Sequence, residues 1–424
     1  MLFYRFHVLF PIGVLFLVGT SFNHEINSRK NVGAFCANDT SQGDPNLNPI
    51  DDSPPELIRT VENGSLYTIG TGEDQFWLVH VWGNSGYDYG FAYGTLLKEQ
   101  IRQMQPIAWA HFEQKIIDEL DKLKLPKWFE DIVASKGLAF ALDFQNTLVE
   151  AYIDKEIYQE MRGIADAANV DYVAIRRLHM LGEITRGRCS LYGLWGNATL
   201  QITIYHPRSP KLGHAFANVA WAGYIATLTG MSSTRLGISE IGIYFSDNTF
   251  GDESMSGLPF IFVERHILQF METLDDALSF IANVKRTCHL VLAVGDGKLA
   301  TARMIQYSHS RVNFFDDENL QPLADWHPRI PNAVYCGMDW LCPSHQYKLY
   351  KQIIYQYGQI TPESSIRNIT SVVKTGELHI GLYDLTDNIM YVANARGTNE
   401  TGPLEAYQRQ FVKIDLNIEF ARVQ

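Results

Sequence analysis

Between Leu96 and Ile184 the apolar residues recur at close to 3.6-residue spacing: Ile101, Met104, Ile107 and Ala108, then Phe112, Ile116, Ile117 and Leu120, and further on Leu148, Tyr152, Ile157 and Met161. Val173, Ile175, Leu178 and Leu181 close the run. That spacing predicts amphipathic helices. Past residue 189 the period changes to that of short strands, at 189–195, 200–205, 215–228 and 236–245. The switch falls in Arg186-Gly-Arg-Cys-Ser-Leu-Tyr-Gly-Leu-Trp-Gly-Asn197. A helical block must therefore pack on a strand-rich block that begins at a lone cysteine, which requires a layered α+β fold.

Cys189 follows small and basic residues and precedes a hydroxyl residue and an apolar run. An enzyme that frees its own N-terminal residue by self-cleavage needs this layout. The α-amine released by cutting Arg188–Cys189 would then serve as base for the Cys189 thiol. A free α-amine has a pKa of about 7.7–8.0, so it accepts a proton near neutrality without a histidine. The alternative is a buried structural thiol at a strand start. The chain has 5 cysteines, Cys36, Cys189, Cys288, Cys336 and Cys342. An odd number in a secreted chain leaves a thiol over. Cys336 and Cys342 are close enough to pair, Cys36 with Cys288 is a further possibility, and Cys189 is the one expected to stay unpaired. No Cys-x-x-Cys is present, so no zinc or other metal site is expected.

Secretion is read from the N-terminus. Arg5 supplies the positive region, Val8–Val18 the apolar core broken by Pro11 and Gly13, and Gly19-Thr20-Ser21 the small residues near cleavage. The apolar run is shorter than the roughly 20 residues of a spanning helix, so no membrane span is expected after signal removal. Sequons at Asn38, Asn63, Asn197, Asn368 and Asn399 fit secretory passage. Asn197 lies so close to Cys189 that glycosylation is expected only at the other four. A net charge of −12 and the absence of a basic stretch exclude a nucleic-acid partner.

Residues 1–21 are thus read as signal peptide, and 22–55, polar and ending in Ser53-Pro-Pro, as a flexible lead-in. Two strands are expected at 64–70 and 76–82. Gly86-Tyr-Asp-Tyr-Gly-Phe-Ala-Tyr-Gly-Thr-Leu-Leu places Gly90 and Gly94 four apart, which predicts close helix packing and not a dinucleotide loop. Pro126 suits the first position of a helix. Helices are expected at 258–271 and 274–284, a hairpin at 289–305 turning at Gly295-Asp-Gly-Lys, and helices at 344–357 and 361–374, the last capped by Thr361 with Pro362 first. A hairpin at 379–383 and 389–392 and a strand at 411–415 end the chain. Two strand groups with helix pairs between them suit a four-layer αββα sandwich.

These residues carry a resemblance. The Gly86–Leu97 helix start, the junction Thr185-Arg-Gly-Arg-Cys-Ser, Trp221-Ala-Gly-Tyr-Ile-Ala-Thr-Leu-Thr-Gly-Met-Ser-Ser, Gly237-Ile-Ser-Glu-Ile-Gly-Ile, Gly337-Met-Asp-Trp, Tyr383-Asp-Leu-Thr and Tyr407-Gln-Arg-Gln-Phe are similar to the acyl-coenzyme A:6-aminopenicillanate acyltransferase-like N-terminal nucleophile hydrolases. Those are relatives of choloylglycine hydrolases and acid ceramidase, and the chain looks most like the secreted acid-ceramidase-like subgroup. The resemblance runs from about Leu57 to the end. It implies the αββα fold, a helical α-subunit (56–188) and a nucleophile-bearing β-subunit (189–424) cut from one precursor. It also implies hydrolysis or transfer of an N-acyl group through a thioester on Cys189, with no cofactor.

The resemblance further implies an oxyanion donor after the Gly-Ile strand, where Asn248 is the candidate, and a second polar site residue at Asp339. Tyr192, Trp195, Trp221 and Tyr224 are candidates for lining an acyl pocket. His206, His214, His266 and His289 lack ligand spacing and are read as structural. One departure stands out. Relatives carry an Asp on the strand after the nucleophile, which orients the α-amine. Here no Asp occurs between Cys189 and Ser246, and Glu240 is the sole carboxylate. The expected function is a secreted or lysosomal amidase or acyltransferase acting on a small-molecule or lipid N-acyl substrate. The alternative is a catalytically impaired secreted binding protein on the same fold.

Overall fold

The computed structural model describes residues 42–119, 126–185, 200–243, 245, 248–251, 254–320, 325, 327–335, 343–376, 379–396 and 401–422. It is a mixed α/β architecture with one large sheet, a smaller one and packed helices. The chain enters through β1 (Glu56–Val61), β2 (Gly64–Ile69) and β3 (Phe76–Gly83), an antiparallel meander whose first turn sets Asn63 at φ 61°. Six helices follow: α1 (Gly86–Leu96), α2 (Lys98–Glu119), α3 (Lys127–Lys136), α4 (Leu138–Val149), α5 (Lys155–Ala168) and α6 (Tyr172–Thr185). β4 (Leu200–Pro207) then pairs parallel to β3. A parallel pair needs a long crossover, and the helical block supplies it.

Ser85 and Asp88 form a capping box that starts α1. The glycines at four-residue spacing do what their sequence predicts. A Cβ added at Gly86 or Gly90 would fall inside van der Waals contact of the Glu156 or Glu160 carbonyl oxygen of α5. At Gly94 it would lie 2.8 Å from the Ile164 carbonyl, and from the facing side one at Gly163 would lie 2.5 Å from the Tyr87 carbonyl. Here α1 and α5 pack backbone to backbone.

From β4 the sheet continues through β5 (Phe216–Trp221), β6 (Thr229–Ser232), β7 (Leu236–Gly242), β8 (Leu290–Asp296), β9 (Thr301–Tyr307) and β10 (Val312–Phe315), all antiparallel, in sequential order β1 to β10. α7 (Phe260–Phe270) and α8 (Leu274–Asn283) lie between β7 and β8 in the chain. The expected strand at 215–228 stops at Trp221, because Gly223 takes φ +88° and turns the chain before β6. The Gly295-Asp-Gly-Lys run is a turn. Asp296 accepts from the backbone N–H groups of Lys298 (2.8 Å), Leu299 (3.3 Å) and Leu274 (3.2 Å).

α9 (Pro343–Gln356) follows, then α10 (Pro362–Ser364), a π-helical turn at Ser365–Thr370 and α11 (Ser371–Val373). Thr361 caps this stretch and Pro362 opens it. β11 (His379–Asp384), β12 (Ile389–Asn394) and β13 (Val412–Asp415) form the second, three-stranded sheet, and α12 (Leu416–Ala421) ends the chain.

β6 shows how the layers stack. Its successive residues point to opposite faces. A Cβ at Gly230 would meet Leu268 of α7, while Thr229 Oγ1 lies 2.7 Å from the Tyr383 hydroxyl of β11. So α7 covers one face and the small sheet the other. A large apolar cluster runs through both halves of the chain, from Leu66 to Leu416, with Cys288 buried within it, and a smaller one gathers Ile366, Ile380, Leu382 and Phe411 at the small sheet. Among the described residues no helix is long and apolar enough to cross a membrane.

Candidate functional site

α6 ends at Thr185 and β4 opens at Leu200, which is paired in register with Trp221. Arg188, Cys189, Tyr192, Trp195, Asn197, Asp339, Asn38 and Asn399 lie outside the described residues. Asn63 sits in the β1–β2 turn and Asn368 in the π-helical turn. The sheet topology brings the start of β4, the end of β5, the start of β6, the end of β7 and the start of β8 to one edge. Asn248 opens a 3-10 turn shortly after the end of β7, on this same edge.

The loop from Trp221 to Leu228 forms a wall there, and buried side chains fix its backbone at Trp221, Gly223, Ile225 and Ala226. The Trp221 carbonyl accepts from the Tyr93 hydroxyl and the Gln201 amide, both at 3.3 Å. The Gly223 N–H donates to Tyr93 Oη (3.0 Å) and the Ile225 N–H to His179 Nε2 (3.0 Å). The Ile225 carbonyl accepts from Arg265 Nη1 (2.8 Å), the Ala226 carbonyl from Asn218 Nδ2 (3.2 Å), and the Thr227 N–H donates to the Ile261 carbonyl (3.2 Å). The two aromatic candidates on this loop are both buried. Trp221 meets His379 edge to face at 5.4 Å, and Tyr224 stacks on His179 at 4.8 Å.

His179 is a one-tautomer residue. Its Nδ1 donates to the Ile175 carbonyl (2.8 Å), which leaves Nε2 as the acceptor for Ile225. Burial holds its pKa down to about 4, and that of His379 to about 3, so neither carries charge at neutral pH.

Beneath the loop Arg265 of α7 donates to Glu160 of α5 at 2.6 Å, and the Tyr205 hydroxyl donates to the other Glu160 oxygen at 2.9 Å. Burial raises the Glu160 carboxyl, and the guanidinium opposes it. This pair floors a cavity of about 410 Å³ walled by Phe262, His266 and Phe280. Arg265 both lines this cavity and holds the Ile225 carbonyl of the loop.

Glu240, the sole carboxylate between Cys189 and Ser246, is buried on the α7 side of β7. Burial pushes it up to about 8, and raises Glu264 of α7 well above its ordinary value with help from Glu240.

On the opposite face His206, read as structural, is buried with Nε2 2.8 Å from His80 Nδ1, and His80 Nε2 lies 3.0 Å from Glu419 Oε2 of α12. Arg422 completes the chain against Glu419. His80 and Glu419 escaped the sequence reading because they lie far apart along the chain. Glu264 and Arg265 did leave a signal: adjacent charges inside the otherwise apolar run Phe260-Ile-Phe-Val-Glu-Arg-His-Ile-Leu. A buried charge needs a partner.

The chain matches no family model. Protein dcd1A of Dictyostelium discoideum is 33% identical over 418 residues, spanning 89% of this chain and 93% of that protein. Protein dcd1B of the same organism is 30% identical over 411 residues, spanning 88% and 80%. An uncharacterized protein of Archaeoglobus fulgidus is 23% identical over 291 residues, 57% of this chain and 45% of that protein. Solved structures with partial likeness include a conjugated bile acid hydrolase variant from Clostridium perfringens (12% identity, TM-score 0.32, 50% of this chain and 80% of that one). Penicillin V acylase from Agrobacterium tumefaciens (11%, 0.33, 48% and 70%) and the Caenorhabditis elegans N-acylethanolamine-hydrolyzing acid amidase ortholog (11%, 0.27, 46% and 80%) are others.

Proposed function

We propose that this chain, which belongs to the family of the Dictyostelium discoideum proteins dcd1A and dcd1B, is a secreted or lysosomal N-terminal nucleophile amidase or acyltransferase on an αββα fold. The observation that carries the reading is the sequence Thr185-Arg-Gly-Arg-Cys-Ser, which falls in the chain between the end of α6 and the start of β4. The precursor would be cut at Arg188–Cys189 into the two subunits.

The chemistry then runs in two halves. The Cys189 α-amine takes the proton of its own thiol, and the thiolate attacks the carbonyl carbon of an N-acyl substrate. Backbone N–H groups and Asn248 stabilise the oxyanion. The proton passes to the departing amine as the C–N bond breaks, leaving a thioester. Water, or an acceptor amine in a transferase, attacks the thioester and regenerates the thiol. In this reading Trp221 and Tyr224, on the Trp221–Leu228 loop, line the path for the acyl group, which suits a lipid or other apolar acyl chain. Asp339 is the candidate for a second polar contact.

The test is mass spectrometry of the protein incubated with a series of fatty N-acyl amines. A transient acyl adduct on the peptide beginning at Cys189, together with release of free acid, supports the reading. Absence of both in the wild-type protein, or their persistence in Cys189→Ala, contradicts it.

A second reading is a binding protein on the same fold with impaired catalysis. It is favoured by the missing Asp: the only carboxylate between Cys189 and Ser246 is Glu240, which is buried toward α7. Loss of an orienting group removes part of the alignment on which such catalysis depends. Substrate binding in the mass-spectrometric experiment without acid release would favour this reading.

A further inference from the structure

The cavity of about 410 Å³ beside α5, α7 and α8 takes its lining from both sides of Arg188–Cys189 in the chain: Tyr89 of α1 and residues 151–157 before it, Leu212 and the two later helices after it. It lies on the α7 side of the large sheet, where the Arg265 guanidinium sits over the Tyr205 and Phe216 rings at 4.7 and 5.5 Å. No step of the proposed reaction uses the residues that line it. A volume of this size suits a small organic ligand.

Tyr89 is 1% exposed, and its hydroxyl has no hydrogen-bond partner among the described residues. Its ring meets Tyr205 edge to face at 5.4 Å. The charged groups that act most on the hydroxyl are Glu160 and Arg265, the pair that floors the cavity. The hydroxyl therefore stands beside that floor. Burial also raises its pKa, so it keeps its proton and is able to donate. A buried hydroxyl left unpaired is unfavourable, and a ligand oxygen at the floor would relieve it.

The charges along the cavity are already in use. Arg265 donates to Glu160, to the Ile225 carbonyl and to Gln269. Glu156 Oε2 accepts from the Gly86 N–H at 2.6 Å, and Asp154 Oδ1 from the Glu156 N–H at 2.9 Å. Lys155 is exposed. A charged ligand would thus find no buried counter-charge waiting for it, whereas a neutral one would bring none that needs compensation.

The wall is aromatic. His266 stacks on Phe280 at 4.2 Å and leans on Phe270 at 4.8 Å, with Phe262 one turn before His266 on the same helix. Such rings favour another ring in offset or edge-to-face contact. We propose that this cavity binds a neutral aryl alcohol, whose oxygen pairs with Tyr89 Oη beside the Arg265–Glu160 pair and whose ring packs among Phe262, His266 and Phe280.

Fluorescence titration of the full-length protein at pH 7 with 2-naphthol tests the site, with 2-methylnaphthalene as the probe of similar shape that lacks the hydroxyl. Tyr89→Phe keeps the ring and removes an unpaired hydroxyl, so it should fold. Val284→Phe adds bulk at a half-buried wall position, and thermal melts check both variants. The expected result is saturable binding of a single 2-naphthol per chain. Tyr89→Phe should weaken it by about two- to tenfold, the loss of one neutral hydrogen bond, and leave 2-methylnaphthalene unchanged. Val284→Phe should weaken both probes. Lack of saturable 2-naphthol binding in the wild type would overturn the proposal. Equal 2-naphthol affinity in the wild type and Tyr89→Phe would overturn it too, and undiminished binding in a folded Val284→Phe would do the same by placing the probe elsewhere.

Discussion

Arg265 Nη2 lies 2.6 Å from Glu160 Oε2 in the interior, and the same guanidinium reaches the Ile225 carbonyl at 2.8 Å. One cation thereby joins α5, α7 and the loop at the sheet edge where β4 begins. Burial of two charges is unfavourable until they pair, so the pair resists removal of one partner far more than replacement of both.

Arg265→Ala is therefore expected to lower unfolding free energy by about 3–5 kcal/mol, the range for stranding a buried charge. Urea denaturation followed by tryptophan fluorescence measures it. Arg265→Met combined with Glu160→Leu should recover most of the loss. If the double variant is as unstable as the single one, the ion pair is not the source.

Gly90→Ala is expected to destabilise by about 1–3 kcal/mol or more, the range for forcing extra volume into a packed contact. Its Cβ would press on the Glu160 carbonyl, and backbone yields less than a flexible side chain. Gly72→Ala serves as the comparison, because nothing lies within 4 Å of a Cβ there. At Gly72 the φ of +57° disfavours alanine by strain alone, so a loss at Gly90 no greater than the one at Gly72 would argue against close packing of α1 on α5.

Stability is expected to fall as pH rises above the ordinary carboxylate range. The Glu240 carboxyl is raised from 4.5 to about 8 in the folded protein. Between those values the folded state holds a proton that the unfolded state has released, so stability is fully present below the unfolded pKa and is lost as pH rises to the folded one. At about 1.4 kcal/mol for each pH unit of difference, the effect is on the order of a few kcal/mol. Glu240→Gln should lessen the dependence between about pH 5 and pH 8, the remainder coming from the buried Glu264. An unchanged slope in that variant would contradict the assignment.

His179→Ala removes the acceptor for the Ile225 N–H and the ring beneath Tyr224. The turnover number for N-acyl substrates should drop about tenfold or more, since misplacement of a pocket wall weakens alignment. His179→Asn, which keeps an acceptor, should restore part of it. Because burial holds His179 to about 4, the pH–rate profile above pH 5 should keep its shape in the alanine variant. A changed profile would mean that His179 exchanges a proton in the reaction.

Local chemistry made some of this legible in sequence. The glycines at 86, 90 and 94 mark a close helix contact by spacing alone, and Thr361 and Asp296 cap and turn the chain through bonds to neighbours a few residues away. Long-range pairing was not legible. Glu160 and Arg265 are 105 residues apart, and nothing near Glu160 reports its partner. β6 and β10, each four residues, and α12, six, are too short to carry a period, so tertiary pairing decides them. The expected strand at 215–228 failed at Gly223, where a positive φ outweighed an apolar run. That Asn248 follows β7 at the end of the sheet where β4 and β8 begin is set by the order of strands, which no local pattern encodes.

The central claim is that the chain frees Cys189 as its own catalytic N-terminus. N-terminal sequencing of the protein purified from a secretory host, beside Cys189→Ala, tests it most directly. The account predicts a second N-terminus reading Cys-Ser-Leu-Tyr in the wild type and a single uncut chain in the variant. An uncut wild-type chain would leave the α-amine bound in a peptide, and the proposed catalysis would be contradicted.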